Sequence, residues 1–250
     1  MTSEIVYGKE GDGGCYKELA APKDYQGKVE RRLSVIPLLY YPSHTSIPQP
    51  KPVVFCYTKS KEGKFLSCIK WYKGNPGNYF AQHLVFEEND TLIDAGPAWL
   101  AKRRGFYIET ISEWSERDIE KTKMYSWKPN IQPSDYCIGL EEKLPEHIDK
   151  RIQAIADAWN SENVQEKKRQ FVLLFDPKEY DDRGRLDLLY ELYARLRRDR
   201  RWEYQFCTFD GQRGEKPPLK WDIVFVAEDD IKTRDYYTNQ KYEPIYLKSK

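Results

Sequence analysis

The sequence predicts an α+β protein, in which a β-rich N-terminal domain precedes a smaller α/β-type domain with a sheet covered by helices. In the first part of the chain, short apolar runs are separated by turn residues, which is typical of strands. In the second part, two amphipathic stretches of helical length alternate with short apolar runs. Of the 250 residues, 40% are hydrophobic and 14% aromatic, so a core built largely from rings is expected.

The charged residues are numerous, but the two signs are balanced, so the protein as a whole has no strong electrostatic field. The chain has 41 Lys and Arg against 40 Asp and Glu, a net charge of +1. Such a chain is not steered as a whole toward nucleic acid or a membrane. The longest apolar runs are far shorter than the roughly 20 residues of a membrane span, and Met1–Glu4 lacks the features of a signal peptide. We therefore expect a cytoplasmic protein without a membrane partner.

The cysteines and histidines give no metal or disulfide pattern. The five cysteines, an odd number without a C-x-x-C pair, are Cys15, Cys56, Cys68, Cys137 and Cys207. They are expected to be reduced thiols, outside any disulfide framework or zinc site. The three histidines lie far apart in the sequence, so no metal site is predicted. No motif for a cofactor is present, and none is expected.

The first third of the chain predicts strands and one hairpin. Ile5–Tyr7 is a candidate strand, and Leu33–Tyr41 is a second apolar segment. Prolines in Pro42–Pro52 exclude a helix there. Val53–Thr58 and the alternating segment Phe65–Tyr72 flank a short Glu-Gly-Lys turn, which predicts a β-hairpin.

A buried strand and a sharp turn follow the hairpin. Tyr79–Glu87 has apolar residues on both faces, which is typical of a central strand. Gly96–Leu100 is expected to turn the chain and begin a short helix with Trp99 pressed onto the sheet. Charged residues, prolines and glycines loosen the pattern beyond that point. We therefore predict an N-terminal domain at 1–115 and a linker at 116–144.

The second domain, 145–250, is predicted to have the order α, β, α, β, β. Its first helix begins at Pro145 and carries an apolar face through Trp159. Its remaining elements are a strand at Gln170–Phe175, a helix at about Arg185–Arg198, and strands at Trp202–Phe209 and Leu219–Ala227. The last twenty residues are polar and rich in tyrosine, and are interpreted as a tail or an extension of the sheet edge.

One catalytic pair can be considered. Gly8–Gly14 is rich in glycine but matches neither phosphate-binding pattern, which favours a simple turn. Cys15 follows that turn and could be a nucleophile with His83 as its base, which would give a hydrolase. The favoured alternative is structural, with His83 as a hydrogen-bonded histidine of the core.

The candidate binding residues are two aromatic residues and part of an arginine cluster: Tyr79, Trp99, Arg197, Arg198 and Arg201. Trp and Tyr often anchor protein interfaces, although packing explains Trp99 equally well. The cluster also includes Arg195 and Arg200 and closes the predicted second helix, where cations favour the negative end of the helix dipole. Capping and solvent exposure are favoured over nucleic-acid binding, because Asp199 interrupts the run and the net charge is near zero.

Several of these segments together carry a family resemblance. Tyr79–Leu100, YFAQHLVFEENDTLIDAGPAWL, resembles the N-terminal type-two domain of GTPase-associated protein one, a bacterial family of conflict and defence gene neighbourhoods. The shared features are an aromatic-Ala-x-His-hydrophobic strand and a Gly-Pro-Ala-Trp-Leu turn. Tyr7-Gly8 and Gly13-Gly14 are similar to the opening of that domain. Arg201–Phe209, followed by Lys220-Trp221, is similar to the middle domain of the family.

The resemblance implies a protein that works with an NTPase. This chain differs from the family pattern at Gln82-His83, where relatives often have two consecutive histidines. The long C-terminal region of many relatives is also missing from this chain. The implied role is a non-enzymatic adaptor or regulator that docks a GTPase, another NTPase or an effector. A hydrolase using Cys15 and His83 and a nucleic-acid-binding protein using Arg195–Arg201 are the alternatives.

Overall fold

The structure is a computed structural model that describes residues 3–9, 16–20, 53–60, 63–71, 79–86, 96–102, 143–162, 168–210 and 220–248. Within them the strands are β1 (Ser3–Lys9), β2 (Tyr16–Ala20), β3 (Val54–Ser60), β4 (Gly63–Trp71), β5 (Tyr79–Phe86), β6 (Phe171–Phe175), β7 (Phe206–Cys207), β8 (Ile223–Ala227) and β9 (Glu243–Tyr246). The helices are α1 (Pro97–Lys102), α2 (Glu146–Ser161), α3 (Asp182–Arg195) and α4 (Ile231–Asn239).

All the described strands belong to one mixed sheet. Its order is β2-β1-β5-β4-β3-β7-β8-β6-β9. The strands from β2 to β3 pair antiparallel, whereas β7, β8, β6 and β9 pair parallel. The expected α+β class is therefore confirmed at this level.

The predicted hairpin and central strand are confirmed. β3 pairs with β4 in an antiparallel register that runs from Val54 opposite Ile69 to Ser60 opposite Gly63. β5 lies between β1 and β4, and its residues 81–86 are all buried. The predicted strand near Ile5 is β1, whereas the segments 33–52 and 8–14 lie largely outside the described residues. β2 was not predicted.

Helix α2 follows its apolar pattern closely. Its buried side chains, at i, i+4, i+7, i+8 and i+11, are Ile148, Ile152, Ile155, Ala156 and Trp159. Two carboxylates in its first turn, Glu146 and Asp149, interact favourably with the positive end of the helix dipole. The helix therefore forms because one face can be buried against the sheet while the other stays solvated.

Two boundaries in the second half differ from the prediction. The second helix, predicted at Arg185–Arg198, is α3, which begins earlier because the side chain of Asp181 accepts a hydrogen bond from Gly184 N and caps it. The strand predicted at Trp202–Phe209 is only β7, preceded by a 3-10 turn at Arg198–Arg200. Trp202 packs inward against the ring of Tyr57 instead of pairing as a strand. The strand predicted at Leu219–Ala227 is β8, and residue 219 itself is not described.

The end of the chain holds a helix and an edge strand. Helix α4 is capped at its start by Asp230, whose carboxylate accepts hydrogen bonds from Thr233 N and Oγ1. β9 then pairs with β6 at the edge of the sheet, as one of the two interpretations proposed. Glu243 N donates to Gln170 O, so the alternate residue Pro244 turns its nitrogen toward the open edge. Pro244 is exposed.

The sheet continues from one predicted domain into the other. β3 pairs antiparallel with β7, with Cys56 opposite Cys207 and Tyr57 opposite Phe206. The hydroxyl of Tyr57 donates to the carbonyl of Trp202. Most of the predicted linker, 116–142, lies outside the described residues, so the division at 116–144 remains a prediction.

Both faces of the parallel strands are covered. Every residue of β6 and β8 is buried. Helices α2 and α3 lie over one face, where Trp159 contacts Phe171 and Arg185 lies over the ring of Phe175. Helix α4 packs against β6 and β8. The connection from β8 through α4 to β9 crosses the sheet in the opposite direction from the connection from β6 through α3 to β7, so the right-handed crossover rule predicts that α4 lies on the other face. None of these helices is long and apolar enough to cross a bilayer.

Candidate interaction surface

Two helix ends converge where most of the predicted binding residues lie. The side-chain amide of Asn160, in the last turn of α2, donates to the carbonyl of Arg195 at the end of α3. The oxygen of the same amide accepts from Arg197 N. One side chain thus joins both helices to the segment 197–201, which we call the arginine turn.

Arg200 is a buried cap for helix α2. Its guanidinium donates to the carbonyls of Trp159 and Glu162 at the end of that helix, and to the carboxylate of Glu203. Only 5% of the residue is exposed. A planar cation with several donors fits here, because the last carbonyls of a helix have no partner within the helix. The predictions for the cluster were helix capping and solvent exposure. Arg200 does cap a helix, although it is α2 and not the predicted second helix, and the expected solvent exposure is wrong for this residue.

Arg201 caps helix α3 in the same way. It donates through Nε to Leu196 O and through Nη2 to Ala194 O. The side chain of Arg201 also packs against the Gly-Pro-Ala-Trp-Leu turn, since a Cβ added to Gly96 would lie 3.0 Å from the Cβ of Arg201. The predicted capping role of the cluster is therefore observed at this residue.

Trp99 is a packing residue in this structure. It is 7% exposed and lies on α1, which packs against α3. Lys102 on the same helix pairs with Asp187 at 2.9 Å and lies over the ring of Tyr190. Tyr79 occupies the first position of β5, and its side chain is outside the description. The fold thus brings the Trp99 helix beside Arg201 but leaves Trp99 little surface for a partner.

Arg197 and Arg198 are the exposed cations of the turn. Arg197 pairs with Asp199 at 2.8 Å, and both side chains are largely exposed, so this pair contributes little to stability. Arg198 is exposed and forms no ion pair with any residue that the structure describes. Arg195 is held instead by Asp149 at 2.5 Å and by Glu191. The surface open to a partner is therefore centred on Arg197 and Arg198.

His83 belongs to the core of the antiparallel strands. It is 1% exposed, and its Nδ1 is hydrogen-bonded to Ser67 Oγ at 2.7 Å. Burial lowers the pKa of His83 from 6.5 to about 4, so the imidazole is neutral near pH 7. The favoured interpretation, a hydrogen-bonded core histidine, agrees with this position. Cys15 lies outside the described residues, so the pairing of the two remains a prediction.

A second polar group, missed from the sequence, lies at the carboxyl ends of the parallel strands. Lys248 Nζ stands 3.0 Å from Glu228 Oε1 and 3.6 Å from Asp176 Oδ2. The hydrogen bond with Glu228 raises the pKa of Lys248. Ligands of open α/β sheets often bind at such strand ends, yet here an ammonium joins the carboxylates. The signal in the sequence was an acidic residue directly after each buried run.

No group in the described part of the chain has the composition of a metal centre, since no three His, Cys, Asp or Glu side chains are grouped to hold an ion. The comparisons with known proteins add no relative. No family model, no curated protein and no solved structure matches the chain.

Proposed function

We propose that this protein is a non-enzymatic adaptor or regulator of a bacterial NTPase-associated defence system, acting through protein–protein contacts. One observation carries the proposal: the separate segments that resemble the family pack together. Phe86 of β5 contacts Trp202, with ring centroids 5.4 Å apart, and Gly96 lies against Arg201. Segments more than one hundred residues apart thus contribute to one structural unit, as expected if they are inherited together.

We place a β-rich domain at 1–115 and an α/β middle-type domain at 145–250, joined by the linker 116–144. In this arrangement the two domains share a sheet edge to edge through β3 and β7. The adaptor would then present one rigid surface in place of two independently moving ones.

The docking surface in this proposal is the exposed part of the arginine turn. Arg197 and Arg198 lie next to two helix caps, the buried Arg200 and the partly buried Arg201, which fix the backbone of the turn. A rigid backbone reduces the entropy lost when a partner binds. Two exposed guanidinium groups favour an acidic patch on the partner, and such rim charges mainly accelerate association.

The test is co-purification of the chain with the NTPase or effector encoded by a neighbouring gene. We expect a stable complex in which Arg197→Glu combined with Arg198→Glu weakens binding about tenfold or more. The matched control is Lys178→Glu combined with Lys232→Glu. This control makes the same change of charge at two exposed sites that follow the carboxyl ends of β6 and β8, away from the arginine turn. It should bind the partner as the wild type does.

Other outcomes would overturn the proposal. A chain that binds none of its gene neighbours and turns over a substrate, with activity lost in Cys15→Ala, would indicate the hydrolase instead. Retention of DNA or RNA that falls steeply with salt and is lost in the double arginine variant would indicate nucleic-acid binding. Both measurements use the same purified proteins.

A further inference from the structure

Two cysteines face each other where the antiparallel and parallel strands meet. Cys56 on β3 lies opposite Cys207 on β7, and their sulfur atoms are 3.7 Å apart. Both residues are fully buried. They are 151 positions apart in the sequence, so only the fold brings them together.

The hydrogen bonds beside the pair show that its backbone geometry suits a disulfide. Thr208 N donates to Phe55 O, and Phe55 N donates to Thr208 Oγ1. Phe55 and Thr208 therefore occupy a hydrogen-bonded position, which makes the neighbouring pair Cys56 and Cys207 a non-hydrogen-bonded one. In antiparallel sheets such pairs have Cα atoms about 4.5 Å apart, within the range that disulfides span.

We propose that Cys56 and Cys207 form a reversible cross-strand disulfide when the protein is exposed to a hydroperoxide. In the first step one thiolate attacks a peroxide oxygen, which gives a sulfenic acid and releases hydroxide or water. In the second step the other thiol attacks the sulfenic sulfur, forms the S–S bond and releases water. The two thiols lose two electrons and two protons, and the peroxide is reduced. A dithiol or glutathione reverses the reaction.

Burial makes the reaction depend on local opening of the sheet. Strand β7 has only two residues, and the thiol of Cys207 donates to the carbonyl of Phe209 just beyond it. Proteins open locally without unfolding completely, and a hydroperoxide as small as hydrogen peroxide needs only a brief opening. The rate of oxidation is therefore limited by separation of β7 from β3, and the product prevents that separation.

The consequence is a covalent link between the two parts of the sheet. The disulfide would close a loop of about 150 residues and so restrict the unfolded chain strongly. For a chain of this size we expect oxidation to raise the melting temperature by about 10 °C. This disulfide would form within the sheet whether or not the protein is an adaptor.

The test is mild treatment of the native full-length protein with hydrogen peroxide, followed by alkylation and non-reducing peptide mapping. We expect a cross-linked pair of peptides containing Cys56 and Cys207, and a higher melting temperature that returns to its starting value with dithiothreitol. Cys56→Ala and Cys207→Ala should abolish both effects. The control Cys68→Ala should keep both, since Cys68 is equally buried but lies on the next strand, opposite Phe55.

Three results would overturn the inference. Cys56 and Cys207 could both remain alkylatable after treatment that oxidises other thiols. The cross-link could instead join other cysteines, such as Cys15 or Cys137. Oxidation could link the pair and yet leave the melting temperature unchanged or lower it, which would exclude the stabilising role. The wild-type map decides the first two even if an alanine variant fails to fold.

Discussion

The indole ring of Trp159 lies flat on the phenol ring of Tyr204, with centroids 3.9 Å apart and planes 5° from parallel. The hydroxyl of Tyr204 also donates to the carbonyl of Trp159 at 2.9 Å. The stack joins the end of α2 to the segment that follows the arginine turn. Two residues distant in the sequence therefore fix the place where both helix ends meet.

Removing this stack should destabilise the fold. Trp159→Ala removes a fully buried ring, and we expect the free energy of unfolding to fall by about 3 to 5 kcal/mol. Tyr204→Phe keeps the ring but removes its hydroxyl, so the loss should be about 1 to 2 kcal/mol. Urea denaturation measures both, and equal losses would contradict the separate roles of ring and hydroxyl.

Arg200→Met should be costly, because it leaves the carbonyls of Trp159 and Glu162 buried without this donor. We expect a loss of about 2 to 4 kcal/mol in the free energy of unfolding. The matched control is Arg198→Met, two residues away in the same turn and exposed, which should change stability by less than about 0.5 kcal/mol. Similar losses in both variants would show that Arg200 is not a cap.

Gly96→Ala tests the contact between the short turn and Arg201. Gly96 has a φ angle of +80°, and an added Cβ would lie 3.0 Å from Arg201 Cβ, so we expect a loss of about 1 to 3 kcal/mol. Gly184→Ala is the control. Gly184 lies in α3, and a Cβ added there would have no neighbour closer than 3.4 Å. Alanine favours a helix over glycine by up to about 1 kcal/mol. Both effects can be read from denaturant midpoints.

Acid should weaken the fold through His83. Its pKa is about 4 in the folded protein, because burial disfavours the charged ring, against 6.5 ordinarily. The unfolded chain takes up a proton at His83 below about pH 6.5, whereas the folded chain does so only near pH 4. Stability is therefore complete above pH 6.5 and lost progressively as the pH falls to about 4, by about 3 kcal/mol at most.

A comparison with His83→Gln isolates this effect. Burial raises the pKa values of Asp182 and Asp222 in the folded protein. These two groups therefore stabilise the fold as the pH falls, which is opposite to the effect of His83. These carboxyl groups are common to both proteins, so the difference in unfolding free energy between them reports His83. The same pH dependence in wild type and variant would contradict the burial of a neutral imidazole.

The two predicted domains should unfold together. β3 and β7 share hydrogen bonds, and Tyr57 packs against Trp202 across the same junction. We therefore expect one calorimetric transition, whose van't Hoff and calorimetric enthalpies agree. Two resolved transitions would show that 1–115 and 145–250 are independent domains.

The elements that could be predicted from the sequence are those with a strong local pattern. The hairpin β3–β4 alternates, and α2 repeats its apolar residues with helical spacing, so both were found. Helix α4 was missed because Thr233 and Tyr237 are its only buried residues within the described chain, too few to mark a face. The pairing of β3 with β7 was missed because pairing between distant segments leaves no local signal.

The candidate surface was predicted only in part, because only some of its features leave a local pattern in the sequence. A run of arginines after a helix indicated capping, and Arg201 does cap α3. The sequence could not separate Arg200, which is buried, from Arg198, which is exposed, because their burial depends on where the end of α2 lies. Nor could it show that Gly96 rests on Arg201, since that contact depends on the tertiary fold.

The proline of the last strand has a consequence for how copies of this protein meet. Pro244 offers no N–H along the open side of β9, so a neighbouring chain cannot continue the ladder there without losing a bond. The described sheet therefore ends at β9 by its own chemistry. At high concentration, copies of this protein are therefore less able to pair through this edge into fibres. A partner protein at this edge would be bound through side chains more readily than through backbone hydrogen bonds.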